Sequence, residues 1–274
     1  PRPGAPVRRR PARPPGETLL AVEDVTVRFG GVVANDAVTM SVPEGRLTAL
    51  IGPNGAGKTT LFNVVTGALA PTTGRVVFDG EDVTGSSRRE LVRRGIVRTF
   101  QNLELEETAT VLDNVLLGLS RYVRCGFLRG IAPVPGVRAD ERRFEEIAHR
   151  SLAAVGLSGW ARELAGNLPY GLRRHVEIAR ALAAGPRLLL LDEPSAGMDA
   201  TETSELGDLV VRLVDGLGVT VLLVEHDMAM VRPYADEIHV LHHGSLLASG
   251  PAEQVLEDPE VRRVYLGGAV AVDA

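Results

Sequence analysis

The sequence predicts an α/β fold whose parallel sheet is interrupted by a helical insertion. Three observations carry that prediction. Residues 52–60 read GPNGAGKTT, a G-x-x-x-x-G-K-T spacing set between the apolar run Leu47–Ile51 and a helix-like Thr60–Val65. Residues 188–191 are four consecutive leucines followed by Asp192 and Glu193, the pattern of a parallel strand buried on both faces. Between these two places, from Val111 to Leu182, the periodicity is mainly helical.

The other elements follow in order. Leu19 to Phe29 partly alternates apolar and polar residues, and Val38 to Val42 repeats the pattern before the turn Pro43-Glu44-Gly45. Gly74 to Gly80 reads as a short strand ending in a turn, 88–94 as a helix, and Gly95 to Phe100 as a strand. The helical stretch is broken over 125–138 by Gly126, Gly130, Pro133, Pro135 and Gly136, which predict a mobile loop. Val219 to Val224 is a second strongly apolar strand, ending at Glu225-His226-Asp227. Ile238–Leu241 and Ser245–Ala248 read as a hairpin around His243-Gly244.

The chemistry lies in the first two of those observations. A strand, a glycine-rich loop and a helix N-terminus together make a phosphate cradle, because glycines let backbone N–H groups wrap closely around an anion. Gly52, Pro53, Asn54, Gly55, Ala56, Gly57, Lys58, Thr59 and Thr60 are therefore the candidate nucleotide-binding residues. Lys58 is expected to reach the β- and γ-phosphates of ATP, and the Thr59 hydroxyl to ligate Mg²⁺. Asp192 and Glu193 close a strand at the carboxyl edge of the sheet, where open α/β sheets bind ligands. Asp192 is the expected second holder of Mg²⁺, and Glu193 the group that polarises the attacking water. His226 also follows an apolar strand, so its imidazole is placed to bond the γ-phosphate or to orient Glu193 and water.

Bulk properties narrow the class. At 274 residues and 45% hydrophobic, the chain can bury a sizeable core. Aromatics at 4% argue against a base-stacking nucleic-acid surface. No apolar run approaches the roughly 20 residues that span a bilayer. The single Cys125 forms no internal disulfide, which fits a reducing cytoplasm, and His242 and His243 make no zinc spacing with it. The first sixteen residues hold five arginines, six prolines and no acid. That composition predicts a disordered tail over 1–17, either inert or touching anionic lipid or nucleic acid, and its lack of an apolar stretch excludes a secretory signal.

From about residue 18 the chain resembles the ATP-binding subunit of an ABC transporter, with the family's motifs in order. GPNGAGKTT is similar to the Walker A, and Gln101 in Arg98-Thr99-Phe100-Gln101-Asn102 to the Q-loop glutamine, which implies contact with Mg²⁺ and a catalytic role. Leu168-Pro169-Tyr170-Gly171-Leu172 stands at the place of the LSGGQ signature, LLLLDEP resembles the Walker B with its catalytic glutamate, Ala196–Asp199 the D-loop, and His226 the switch histidine. Phe29 stands where the family places an adenine-stacking aromatic; as a residue alone it reads equally well as core. A finer resemblance is to branched-chain (hydrophobic) amino-acid importers, carried by Arg28-Phe29-Gly30-Gly31-Val32, the Thr-Phe-Gln-Asn phrase, DEPSAGMD and the ending Asp258-Pro259 through Val264-Tyr265-Leu266-Gly267.

The resemblance implies a P-loop ATPase with a RecA-like core, an N-terminal antiparallel β subdomain and a helical subdomain over about 102–183. The ATPase domain would span 18–250, and 251–274 would form a C-terminal helix and tail. It implies a second ATPase subunit, of another kind or a copy of this one, docked head to tail. Each nucleotide would then meet the partner's signature, here Tyr170 and Gly171. It further implies two membrane permeases, an extracytoplasmic solute-binding protein acting through them, and a place on the cytoplasmic face of the membrane, without nucleic acid. Urea or short-amide importers share much of the pattern, and a soluble ABC ATPase working on ribosomes or DNA is the alternative from another class. Pro169 and Leu172 depart from the family's serine and glutamine. Proline offers neither hydroxyl nor N–H.

Overall fold

The computed structural model describes residues 16–99, 105–119 and 137–266. The Arg/Pro-rich tail up to Pro15, Phe100 to Glu104, residues 120–136 with Cys125 and most of the loop predicted over 125–138, and the last residues 267–274 lie outside them. The chain divides into two compact units, one formed by residues up to Arg98 together with those from Arg187 onward, the other by Thr99–Pro186.

The first unit begins with β1 (Thr18–Phe29), β2 (Val32–Pro43), β3 (Leu47–Ile51), α1 (Lys58–Val65), β4 (Thr73–Phe78), β5 (Glu81–Asp82), α2 (Arg88–Arg94) and β6 (Ile96–Arg98). The second contributes α3 (Val111–Leu119), α4 (Val137–Ala154) and α5 (Tyr170–Ala183). The first then resumes with β7 (Leu188–Asp192), α6 (Ala200–Leu217), β8 (Thr220–Val224), α7 (Met228–Val231), β9 (Glu237–His242), β10 (Ser245–Pro251), α8 (Ala252–Glu257) and α9 (Pro259–Leu266).

Two sheets organise the first unit. An antiparallel sheet has the order β2-β1-β4-β5, and a six-stranded sheet the order β10-β9-β3-β8-β7-β6. In the second sheet every pairing is parallel except the edge hairpin β9–β10. The strands β3, β7 and β8 are buried at all five positions each. Leu50, Leu188, Leu190, Leu222 and Val224 join one core with Leu20, Val22, Phe78 and the α1 residue Phe62. Ala49 and Ile51 turn to the opposite face and pack with Val231, Ile238, Val240 and Val255. This two-sided burial is why these strands read as unbroken apolar runs.

Helix ends are set by local chemistry. Ser87 and Glu90 make a reciprocal capping box at the start of α2, which Gly95 ends in the left-handed region at φ 98°. Asp199 and Glu202 do the same for α6, and Gly218 closes it. β2 begins at Val32 rather than Val38. The stretch Asn35-Asp36-Ala37 hides this, because Ala37 sits at φ 45° and the β1–β2 register shifts around it. Such irregularities break the strict alternation that a strand needs to be visible in sequence.

In the second unit α3, α4 and α5 pack on one another. Gly118 permits the close approach of α3 to α5, since a Cβ there would lie 2.5 Å from the Arg180 carbonyl oxygen. Asn114 is buried and knits its loop, donating to the carbonyls of Glu106 (2.9 Å) and Thr110 (3.0 Å) and accepting from the Glu106 N–H. Val137 and Arg138, which the sequence placed in the break at 125–138, begin α4, and the rest of that segment lies outside the described residues. Among the described residues no helix is long and apolar enough to cross a membrane.

One buried titratable group gives the fold a pH response. His239 on β9 bonds Ser249 Oγ through Nδ1 and the Ser41 carbonyl through Nε2, both at 2.7 Å. Burial pulls its pKa below the ordinary 6.5, opposed by the Ser41 bond. The unfolded chain therefore takes up a proton first as pH falls. Stability should be level above about pH 6.5 and then decline, by at most about 1.4 kcal/mol per pH unit from this one group. Chemical unfolding between pH 8 and 5 checks this, with His239→Gln expected to flatten that part of the slope.

Candidate active site

The loop 52–57 leaves β3 and turns directly into α1. Two glycines in it are required by space as well as by conformation. A Cβ on Gly52 would stand 2.3 Å from the Leu241 carbonyl oxygen, and one on Gly57, at φ 100°, 2.4 Å from that of Ala34. Asn35 Nδ2 also donates to the Gly57 carbonyl at 3.2 Å, so β2 braces the loop from below. α1 has no side-chain cap. Its first-turn N–H groups therefore have no side-chain acceptor and suit an anion.

Lys58 is buried, and its Nζ donates to the carbonyls of Gly52 (2.6 Å) and Pro53 (3.1 Å). Burial lowers its pKa, while Glu193, Asp192 and Glu225 pull it back up. The cation is thus held against the loop by two neutral oxygens and by the field of three carboxylates. Beside it opens a cavity of about 510 Å³ lined by Asn54, Gly55, Lys58, Thr59, Thr60 and Glu193, with Val32, Val33 and His243 among its other walls.

The carboxylates come from β7. Asp192 pairs with Val224 as the last residue of the ladder, and Glu193 N–H adds one more bond to the Val224 carbonyl at 2.9 Å. Glu193 then turns sharply at φ 44°, a strained region for a residue with a side chain. Its Oε1 lies 3.7 Å from His226 Nδ1, beyond hydrogen-bond range but within reach of a small closure or a bridging water. Asp192 is buried and accepts from Arg98 Nη2 at 2.6 Å. Arg98 also donates to Asn63 Oδ1 (2.9 Å) and lies over the Phe62 ring, 4.8 Å from its centre.

The donor set fits Mg²⁺ only in company with phosphate. Thr59 hydroxyl and Asp192 carboxylate are hard oxygen donors, as that ion requires. Among the described residues no group of three or more His, Cys, Asp or Glu could hold a metal without such help. Gln101, the third expected holder and the fourth expected catalytic residue, lies outside the described residues.

Comparison with known proteins bears directly on this site. The family model described as ABC transporter matches residues 35–196, which contain the whole loop, Asp192 and Glu193. The chain belongs to the ABC transporter ATP-binding family. A second model, described as branched-chain amino acid ATP-binding cassette transporter, matches residues 245–271. The chain is 43% identical over 251 residues, covering 92% of it and 98% of the relative, to the high-affinity branched-chain amino acid transport ATP-binding protein BraF of Pseudomonas aeruginosa. Its fold is similar to the crystal structure of a nucleotide-free ATP-binding cassette from an ABC transporter, with TM-score 0.79, 35% identity and coverage of 90% and 98% of the two chains. A dimeric bacterial ABC transporter cassette matches at TM-score 0.68 and 27% identity, covering 85% and 98%. The chain is an ABC-type ATPase.

Within this cassette the other expected residues fall as follows. Phe29 ends β1 at 52% exposure, and the cavity wall from the same hairpin is built by Val32, Val33 and Ala34 rather than by Phe29. Tyr170 and Gly171 open α5 in the second unit, where Pro169 is the N-cap and makes no side-chain bond. Arg173 braces the segment before it, donating to the carbonyls of Leu168 (2.9 Å) and Gly166 (2.5 Å). Three residues given no role by the sequence matter here: Arg98, Ser195 and Glu225. Glu225 was visible as an acid ending an apolar strand, but its partner Ser195 lies 30 residues away and nothing local pairs them.

Proposed function

We propose that this cassette is the ATP-hydrolysing subunit of an importer for branched-chain or other hydrophobic amino acids, seated on the cytoplasmic face of the cell membrane. The observation that carries the chemistry is one cavity lined by Lys58, Thr59 and Glu193, with the Asp192 carboxylate acting on Lys58 and His226 Nδ1 3.7 Å from Glu193 Oε1. The similarity to BraF over nearly the full length of both chains supports the solute class.

In this reading the phosphates of ATP lie on the loop 52–57 and the α1 N-terminus, with Lys58 against the β- and γ-phosphates. Thr59 and Asp192, with Gln101 by the family resemblance, would hold Mg²⁺, which would supply charge neutralisation. Glu193 Oε1 accepts a proton from the water whose oxygen attacks the γ-phosphorus. The bond to the β–γ bridging oxygen breaks, and that oxygen leaves on ADP. His226 orients Glu193 and that water. A partner ATPase subunit, of a second kind or a copy of this chain, contributes its signature across the seam, while Tyr170 and Gly171 serve the partner's nucleotide. Two membrane permeases receive the motion, and a solute-binding protein outside the membrane supplies the cargo.

Uptake tests the solute class. Cells lacking this chain should lose uptake of radiolabelled leucine and regain it with the wild-type chain but not with Glu193→Gln. Retained leucine uptake with lost urea or short-amide uptake would reassign the solute. Co-purification with RNA or DNA in place of membrane permeases would overturn the transport reading.

A further inference from the structure

Glu225 is a completely buried carboxylate with no cation within ion-pair distance among the described residues. It is held instead by four donors. Oε1 accepts from the Ser195 N–H at 3.0 Å and the Ser195 hydroxyl at 2.6 Å. Oε2 accepts from the N–H groups of His226 at 3.1 Å and Asp227 at 3.4 Å. Each of its oxygens is thus met by two donors. Its own N–H reaches the Leu50 carbonyl at 3.3 Å, on the strand that leads into the phosphate loop.

The donors are informative by where they sit. Ser195 lies two residues after Glu193, on the loop leaving β7, and His226 and Asp227 lie on the loop leaving β8. One side chain thus ties together the two loops that carry Glu193 and His226. A neutral amide cannot replace it. Glutamine has a single acceptor oxygen, and its NH₂ would face either the Ser195 donors or the two backbone N–H groups. The two carboxyl oxygens together meet all four donors, which is what a buried polar group at this place needs.

We infer that Glu225 is a positioning residue for hydrolysis, fixing the separation of Glu193 and His226 by clamping Ser195 to the His226 backbone. The inference rests on the roles given above to Glu193 and His226. Misplacing a reacting group by about 1 Å can cost about 10²-fold in rate, which makes such a clamp consequential without any contact to nucleotide.

The test uses the full-length chain with Glu225→Gln, Ser195→Ala, His226→Ala and the Glu225→Gln/His226→Ala pair. Steady-state kcat and KM for ATP are read beside nucleotide Kd by calorimetry, thermal midpoint, and amide exchange at Ser195, His226 and Asp227. Glu225→Gln should lower kcat at least about tenfold, with Kd within about twofold and faster exchange at the three amides. On the His226→Ala background it should add little, since both changes remove one arrangement. Ser195→Ala keeps the charge and removes one donor, and should lower kcat about fivefold. If Glu225→Gln does not fold, Ser195→Ala decides alone. Wild-type kcat in the folded variants overturns the inference, as does a full additive loss in the pair or a fall in Kd-measured affinity that matches the loss in kcat/KM. Glu193→Gln serves as the control. If it turns over normally, the reading of Glu193 fails, whereas an inactive Glu193→Gln beside a normal Glu225→Gln removes only the clamp.

Discussion

Glu193→Gln is expected to slow ATP turnover by at least about 10²-fold, the scale of a positioned base, while nucleotide affinity stays close to wild type. The change keeps size and shape, removes the proton acceptor, and removes one of the three carboxylate charges acting on Lys58. Glu193 is fixed by its N–H bond to the Val224 carbonyl and by a backbone at φ 44°, neither of which depends on the carboxylate. Its side chain lines the cavity. Single-turnover hydrolysis and calorimetric ATP binding on the same preparation check both halves. Near-normal turnover would remove Glu193 from the chemistry.

Lys58→Ala should act on the other parameter. The lysine amine is the cation placed against the loop carbonyls of Gly52 and Pro53, and the carboxylates of Asp192, Glu193 and Glu225 all act on it. Without it a triphosphate entering the cradle meets three acids opposed mainly by the α1 N-terminus and by Arg98, itself engaged with Asp192. A charge-assisted hydrogen bond is worth about 1.5–3 kcal/mol, so ATP should bind about 10- to 150-fold more weakly. Turnover should vanish with it. Unchanged affinity by calorimetry would mean that the loop does not hold phosphate as described.

The parts of this molecule legible in its sequence were those whose physics is local. Leu188–Leu191 announced a doubly buried strand because burial on both faces leaves no polar position. The loop 52–57 was legible because glycine is needed where a Cβ would strike backbone, as at Gly52 and Gly57. The hairpin at His243-Gly244 was legible from its turn, and both residues are in the left-handed region. What stayed hidden depended on distant or irregular structure. The first half of β2 is masked by a register shift at Asn35–Ala37. The Arg98–Asp192 pair joins residues 94 positions apart, and the Glu225–Ser195 pair residues 30 apart. Phe29 shows the limit of a single position, since the sequence left a core and an adenine-stacking reading equal and its exposed setting removes only the first.

The strand order has a consequence for how the cradle comes into being. β3 carries the phosphate loop, yet its neighbours on either side are β8 and β9. A chain emerging from the ribosome therefore displays its glycine-rich loop long before the strands that flank it exist. Gly52 is packed against Leu241, and the Gly45 N–H waits for the hydroxyl of Thr220, 175 residues further on. Until synthesis has passed Val224, β3 is an apolar ribbon with neither flanking strand made, and until it has passed His242 one edge still lacks its partner, the kind of segment that invites association with other chains. Competence to hold nucleotide arrives late and all at once, and a nascent chain halted before that point has the motif without the site.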